Sequence, residues 1–263
     1  LRLVAEGVLD LDAPVQRWLP DFRPALADGR TPPISLRQLL SHSSGLGYRF
    51  LEADADGPYA RAGVSDGLDA DPLSLAENVR RVAQAPLLFE PGSQWLYSLG
   101  VDVAGAVAEA ATGEPLQALF KRLLAAPLGL RDTAFATRDA ARLATPYVSD
   151  APQPHRLQEG EVVAPFEGTV GITYSLARAT DARHFASAGA GLVGTADEVM
   201  AVLEALRDVP SSRLLPPALA VEMATAQVGE QGPPEPAGWG FGLGFAVLRD
   251  AAASGTPQRE GTW

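Results

Sequence analysis

Residues 101 to 124 constrain the fold of this chain more than any other stretch. Val101, Ala104, Ala108 and Ala111 recur at spacings of three and four, the period of a helix, until Thr112-Gly113 breaks the pattern. Pro115 suits a first helical position, and Leu116, Leu119, Phe120, Leu123 and Leu124 then make a second apolar stripe, which Pro127 is expected to end. Two consecutive helices with apolar faces need a core to cover them. These stripes are therefore expected to be core faces.

Local start signals add further helices. In Pro33-Ile34-Ser35-Leu36-Arg37-Gln38-Leu39-Leu40, Ser35 stands as N-cap with Gln38 three residues on, a capping box, and Ile34 and Leu39 are placed to staple it. Ser74 to Glu77 and Thr195 to Glu198 repeat the box. After the latter, Val199, Leu203 and Leu206 fall on one expected face, and Pro210 follows the stop. Strand signals are fewer. Phe241-Gly242-Leu243-Gly244-Phe245-Ala246-Val247 alternates with period two and is expected to be one half-buried strand. Its small face of Gly242, Gly244 and Ala246 invites another backbone to approach closely. Residues 145 to 170 and 227 to 238 read as loops, and no repeat or low-complexity tract occurs.

Composition excludes several function classes. A chain of 263 residues, 46% apolar and 20% charged, is long enough for a large core. Its net charge of −11 repels phosphate, so neither nucleic acid nor an anionic membrane is an expected partner. There is no cysteine, hence no disulfide, thiolate zinc site or cysteine nucleophile. His42, His155 and His184 are too irregularly spaced for an expected metal site, and no cofactor is expected. No apolar run of about 18 residues is present that would span a bilayer. The sequence leaves oligomeric state open and favours the cytoplasm over the periplasm.

The two ends read as cut. Leu1 to Glu6 are helix formers closed by Gly7 but lack a preceding cap, and Gly261-Thr262-Trp263 stops without a polar tail. The expectation is one incomplete α/β (α+β) domain over 1–263. About 20–185 would be a mostly helical region and about 186–263 a return to the sheet region, with only part of an antiparallel sheet present.

The chemistry is concentrated in Phe89-Glu90-Pro91-Gly92-Ser93-Gln94-Trp95-Leu96-Tyr97-Ser98-Leu99-Gly100. A Pro-Gly turn delivers an aromatic segment just before a helix, where the Tyr97 phenol or Ser98 hydroxyl could be displayed in a cleft. A tyrosine works as a base only when nearby positive charge lowers its pKa, and the single lysine, Lys121, is not close in sequence. On these grounds alone Tyr97 reads as structural. A nucleophile is not expected within the chain, and no Gly-x-Ser-x-Gly elbow is expected among its serines. Three residues before Lys121 stands Ala118, so Ser-x-x-Lys is absent.

The order of segments resembles the serine β-lactamase and penicillin-binding-protein-like hydrolases, most closely their carboxylesterase (family VIII esterase-like) branch. Val4-Ala5-Glu6-Gly7 with Leu9-Asp10-Leu11-Asp12-Ala13-Pro14-Val15 is similar to the stretch that follows the family's Ser-x-x-Lys helix. Next come Ile34 to Leu46 with its His-x-Ser-Gly turn, and Pro-Gly-x-x-Trp-x-Tyr-Ser, similar to the second catalytic motif, Tyr-x-Asn. Pro127 to Thr133, Gly189 to Thr195 and Gly238 to Gly244 follow in the family's order. The resemblance implies a β-lactamase/transpeptidase-like fold and acyl transfer by a serine, with Tyr97 sharing the proton transfer and Trp95, Ser98 and Leu99 beside the substrate. It also implies that the nucleophile serine, its lysine and part of the oxyanion hole are not in these residues. Leu99 departs from the family's usual asparagine, so an amide-bearing substrate loses an anchor, at on the order of 1–3 kcal/mol. That favours a small-molecule ester over a lactam. The rival expectations are a β-lactamase or D,D-peptidase and a non-catalytic penicillin-binding-like protein.

Three features compete for attention. Tyr174-Ser175-Leu176 repeats the tripeptide without its Pro-Gly-x-x-Trp lead. His42, beside Ser41, Ser43 and Ser44, is expected to cap a helix end with its imidazole facing the helix dipole. Asp54, Asp56, Asp66, Asp69 and Asp71 lack calcium-loop order and read as a solvated acidic loop.

Overall fold

Helix α1 (Arg2–Ala5) turns on Gly7, whose positive φ of 72° no β-carbon obstructs. The computed structural model describes residues 1–207, 214–229, 232–233 and 236–263; Pro210 and part of the expected 227–238 loop lie outside the described residues. Helix α2 (Leu36–Leu40) begins with the full capping box: Ser35 accepts the Gln38 N–H and Gln38 accepts the Ser35 N–H. Ile34 and Leu39 are both wholly buried, as a staple requires. A short helix α3 (Pro58–Arg61) precedes α4 (Leu75–Val82), capped by Ser74. Here the box is only half made, because the Glu77 carboxylate turns instead to Arg80 and Arg81.

Helix α5 (Gly100–Thr112) ends on Gly113 at φ 71°, where the sequence breaks its pattern. Its deepest residues are Asp102, Val103 and Gly105 to Val107, while Val101, Ala104, Ala108 and Ala111 are half-buried along the flank. The expected stripe is thus displaced by about one residue. Helices α2 and α4 both pack against α5. The second expected helix is α6 (Leu116–Phe120), and Pro127 does not end it. A π-helical turn, Lys121–Ala125, carries the chain into α7 (Ala126–Leu128), and Gly129 closes it at φ 68°. A widened turn makes room for a proline ring that would otherwise strike the carbonyl one turn back.

Two antiparallel ladders begin within the 145 to 170 segment expected to be loop, and the last of their strands lies just beyond it. Strand β1 (Tyr147–Val148) pairs with β2 (His155–Arg156), and β3 (Val162–Val163) with β4 (Ile172–Thr173). Helix α8 (Ala196–Arg207) follows Thr195, whose hydroxyl oxygen accepts the Glu198 N–H. The Glu198 side chain reaches instead to the Asp132 N–H and the Thr133 hydroxyl, so this box too is half made. On α8 only Leu206 is buried, and Val199 is exposed, which corrects the expected face.

Helix α9 (Pro217–Met223) leads to a hairpin, and here the expectation of one strand is corrected. Strand β5 (Trp239–Phe241) pairs antiparallel with β6 (Ala246–Leu248), and Gly244 turns between them at φ 94°. The alternating glycines that imitate strand periodicity are used for the turn. Gly242 does admit another backbone: a β-carbon there would sit 2.3 Å from the Met223 carbonyl oxygen. Helix α10 (Ala251–Ser254) follows the hairpin. Buried residues from both parts of the chain, among them Leu3, Ile34, Leu39, Val103, Leu219 and Leu243, form one connected core. Among the described residues no helix is long and apolar enough to cross a membrane.

Candidate active site

The segment before α5 is held by main-chain bonds to the turn that follows α2. The N–H groups of Leu88, Gly92 and Leu96 donate to the carbonyls of Gly45, Ser43 and His42, at 2.8, 2.7 and 2.9 Å. Gly92, at φ 86°, makes the Pro-Gly turn that lets the segment double back. Gly100 then starts α5 so close to α2 that a β-carbon on it would lie 2.5 Å from the Leu39 carbonyl oxygen. Tyr97 is thereby fixed between two anchored neighbours.

Its side chain is 42% exposed, whereas Ser98 and Leu99 have no exposure at all. Around it stand the buried ring of Tyr48, with centroids 5.1 Å away, and the imidazole of His42 at 4.7 Å. Phe241 from β5 covers His42 at 5.0 Å, and Trp95 lies 5.7 Å from Phe241. The hairpin tip secures this cover through the Gly244 N–H, which donates to the Leu40 carbonyl at 3.0 Å. Burial first, and then the neighbouring Tyr97 and Asp102, push the Tyr48 phenol well above its usual range, so it stays neutral. Burial holds His42 down to about 4, so its ring is neutral too.

The sequence-derived site residues separate into two groups. Tyr97 and Trp95 come together with His42 and Tyr48 in one aromatic wall. Ser98 and Leu99 stand behind it: Leu99 belongs to the core, and the Ser98 hydroxyl meets His42 Nδ1 at 3.3 Å and accepts from the Gly100 N–H. Neither side chain reaches solvent. The start of α5 turns their side chains inward, so position 99 presents an apolar, enclosed group rather than an open pocket wall.

His42 is corrected as well. It follows the C-cap of α2 at φ 56°, with its own N–H directed to Leu39 O and that of Ser43 to Gln38 O, a Schellman arrangement. The backbone does the capping and the imidazole turns to Ser98. For a residue with a β-carbon this left-handed backbone costs about 1–2 kcal/mol. Of the acidic residues in the 54–71 stretch, Asp66 and Asp69 are buried rather than solvated. Asp66 accepts the N–H groups of Arg49 and Phe50, and Asp69 accepts from Ser65.

One signature was missed in the expectation that no local nucleophile motif exists. Gly63-Val64-Ser65-Asp66-Gly67 has the Gly-x-Ser-x-Gly spacing of a nucleophile elbow. The structure gives it a different role. Ser65 has no exposure, donates to Asp69 at 2.8 Å, and its backbone is held by the Asn78 side chain. No strand leads into it, so this is a buried loop anchor. Tyr174-Ser175-Leu176 is held elsewhere by its main chain, with the Ser175 N–H on Leu68 O, and Tyr174 makes none of the ring contacts of the aromatic wall. Two cavities of about 550 and 530 Å³ do not include Tyr97. A smaller apolar one of about 360 Å³ is lined by Tyr48, Leu88 and Leu96, beside the wall.

Comparison with known proteins identifies the family. The family model described as Beta-lactamase matches residues 1–262. Esterase EstB of Burkholderia gladioli is 48% identical over 263 residues, all of this chain and 66% of that protein, so the chain spans just under two thirds of that relative. Monacolin J acid methylbutanoyltransferase of Aspergillus terreus is 34% identical over 149 residues, 51% of this chain and 34% of that one. Among solved structures, EstCE1, a hydrolase with promiscuous acyltransferase activity, superposes with a TM-score of 0.92 at 47% identity, covering 99% of this chain and 68% of its own. The chain carries a β-lactamase/transpeptidase-like fold and belongs to the β-lactamase family.

Proposed function

We propose that the protein acts as a serine hydrolase of carboxylic esters through an acyl-enzyme, with Tyr97 as a proton-transfer residue. The observation that carries this reading is the presentation of Tyr97. Its phenol reaches solvent while the imidazole, phenol and hydroxyl around it are buried. In the proposed reaction a serine oxygen bonds to the ester carbonyl carbon, the alcohol leaves with a proton, and water then releases the acid. In this reading Tyr97 passes the proton between the serine and the leaving alcohol, with a cation beside the phenol.

That cation and the nucleophile are assigned to sequence outside these 263 residues, because no serine here precedes a lysine by three positions. Similarity to Esterase EstB supports ester chemistry. The 360 Å³ cavity beside Tyr48 and Leu96 suits a small apolar group of such an ester. A second reading is acyl transfer to an alcohol in place of water. It is favoured by the similarity to EstCE1 and to the Aspergillus acyltransferase, and it differs only in which hydroxyl takes the acyl group.

The test uses the longer protein that contains these residues, with p-nitrophenyl acetate and butyrate and a chromogenic cephalosporin. Tyr97→Phe is expected to lower ester kcat by roughly 10²–10⁴-fold. An undiminished kcat removes Tyr97 from the mechanism. Faster turnover of the cephalosporin than of either ester favours the lactamase alternative, and no turnover of any substrate favours the non-catalytic one.

A further inference from the structure

His42 is the one non-glycine residue with positive φ among the described residues, at a place in the Schellman turn where glycine is the usual occupant. A glycine would cap α2 equally well, so the imidazole must earn its place elsewhere. Its contacts converge on one neighbour. The His42 carbonyl accepts the N–H of Leu96 at 2.9 Å, and its Nδ1 accepts the N–H of Ser98 at 3.3 Å. One residue therefore grips the chain on both sides of Tyr97. Its ring also lies 4.7 Å from that of Tyr97, with Phe241 and Trp95 closing the remaining sides at 5.0 and 6.2 Å.

We propose that His42 is a positioning residue that orients the Tyr97 phenol, acting through a neutral imidazole protonated on Nε2. An Nδ1 that accepts a main-chain N–H has no proton of its own, which fixes the tautomer. The strained backbone is retained because it aims Nδ1 at Ser98, which glycine cannot do. This proposal rests on the reading of Tyr97 as the proton-transfer residue, and its test separates the two.

The first measurement needs no change at His42. In ¹⁵N-histidine spectra of the protein, assigned with His155→Gln and His184→Gln, His42 is expected to show an unprotonated Nδ1 and a protonated Nε2. The opposite tautomer overturns the proposal. The second uses ¹³Cζ-labelled tyrosine, with Tyr97 assigned through Tyr97→Phe. His42→Gly keeps the turn but loses the packing of the buried ring, so it is expected to melt lower while staying folded, and to shift and broaden the Tyr97 signal. His42→Asn tolerates the same backbone and restores an acceptor, so it is expected to return the signal towards its original position. A Tyr97 signal unmoved in the glycine variant reduces His42 to a structural role and overturns the proposal.

In the longer protein, His42→Gly is expected to lower kcat roughly 10- to 100-fold with KM little changed, and His42→Asn to recover part of it. Unchanged kcat in the glycine variant, while Tyr97→Phe is impaired, also overturns the proposal. Full activity of Tyr97→Phe instead defeats the functional reading, and the tyrosine spectra still decide whether His42 orients Tyr97.

Discussion

Three buried groups give the protein an uncommon dependence on pH. Burial lowers His42 to about 4 from an ordinary 6.5, so on acidification the unfolded chain takes up this proton first. The stability linked to its neutral form is complete above about 6.5 and is lost as the pH falls towards 4. Burial raises Asp66 to about 7 and Asp102 to about 6 from 3.8, the latter against the pull of the Ser187 hydroxyl and the amide of Gly189. For both carboxyls the sign is reversed: the folded chain holds protons that the unfolded chain releases, so stability falls as the pH rises through these values. Between about pH 4.5 and 6 the two carboxyls outweigh the one imidazole, and urea denaturation is expected to show stability falling with rising pH. In Asp102→Asn the remaining pair nearly cancels. A profile that stays as steep in this variant would refute the assignment of the slope to Asp102.

At the scale of elements, the junction of α2 with α5 aligns the site, and it is built from a cap and a close approach. Ser35→Ala removes the side-chain acceptor of the capping box and is expected to cost about 1 kcal/mol, seen as a lower denaturation midpoint with an unchanged slope. Gly100→Ala is expected to cost more, about 1–3 kcal/mol, because its new methyl group meets the Leu39 main chain rather than a side chain that can swing away. It should also disturb the Tyr97 resonance, since Ser98 and Gly100 share the hydroxyl that meets His42. A stable Gly100→Ala protein with an unmoved Tyr97 signal would show that the approach of the two helices does not position the site. Helix signals of this kind are legible wherever the partners are local. Ser35 and Gln38 complete their box because no other group claims Gln38. Glu77 and Glu198 leave theirs half made because arginines on the same helix, and the 131–133 turn from far along the chain, compete for the carboxylates.

On the scale of the whole molecule, the 263 residues build one wall of a site around Tyr97 and contain no Ser-x-x-Lys. Incubated with a fluorophosphonate, this chain is therefore expected to keep its unmodified intact mass, while the longer protein takes up one adduct. A stoichiometric adduct on the 263-residue chain would overturn the assignment of the nucleophile to sequence outside it, and the labelled serine would become the site to explain. Ser65 is not that candidate, despite its flanking glycines, because it is closed off from solvent.

What the amino-acid sequence determined by itself was whatever depends on neighbours a few residues apart. The cap of α2, the course of α5 to Gly113, the Pro-Gly turn and the presence of Tyr97 at its end all follow from local geometry and ordered motifs. The tertiary structure alone decided matters of direction and enclosure. It turned Ser98 and Leu99 inward, placed His42 on a strained backbone facing Ser98, buried Ser65, and folded the glycine-rich 241–247 segment into a hairpin. Side-chain orientation at these positions is set by groups more distant in sequence: Gly47 O for the Leu99 N–H, Asn78 for Ser65, and Met223 O for Leu243. Periodicity and spacing carry no record of such partners, because a contact across the core depends on where two segments meet and not on the residues that lead up to it.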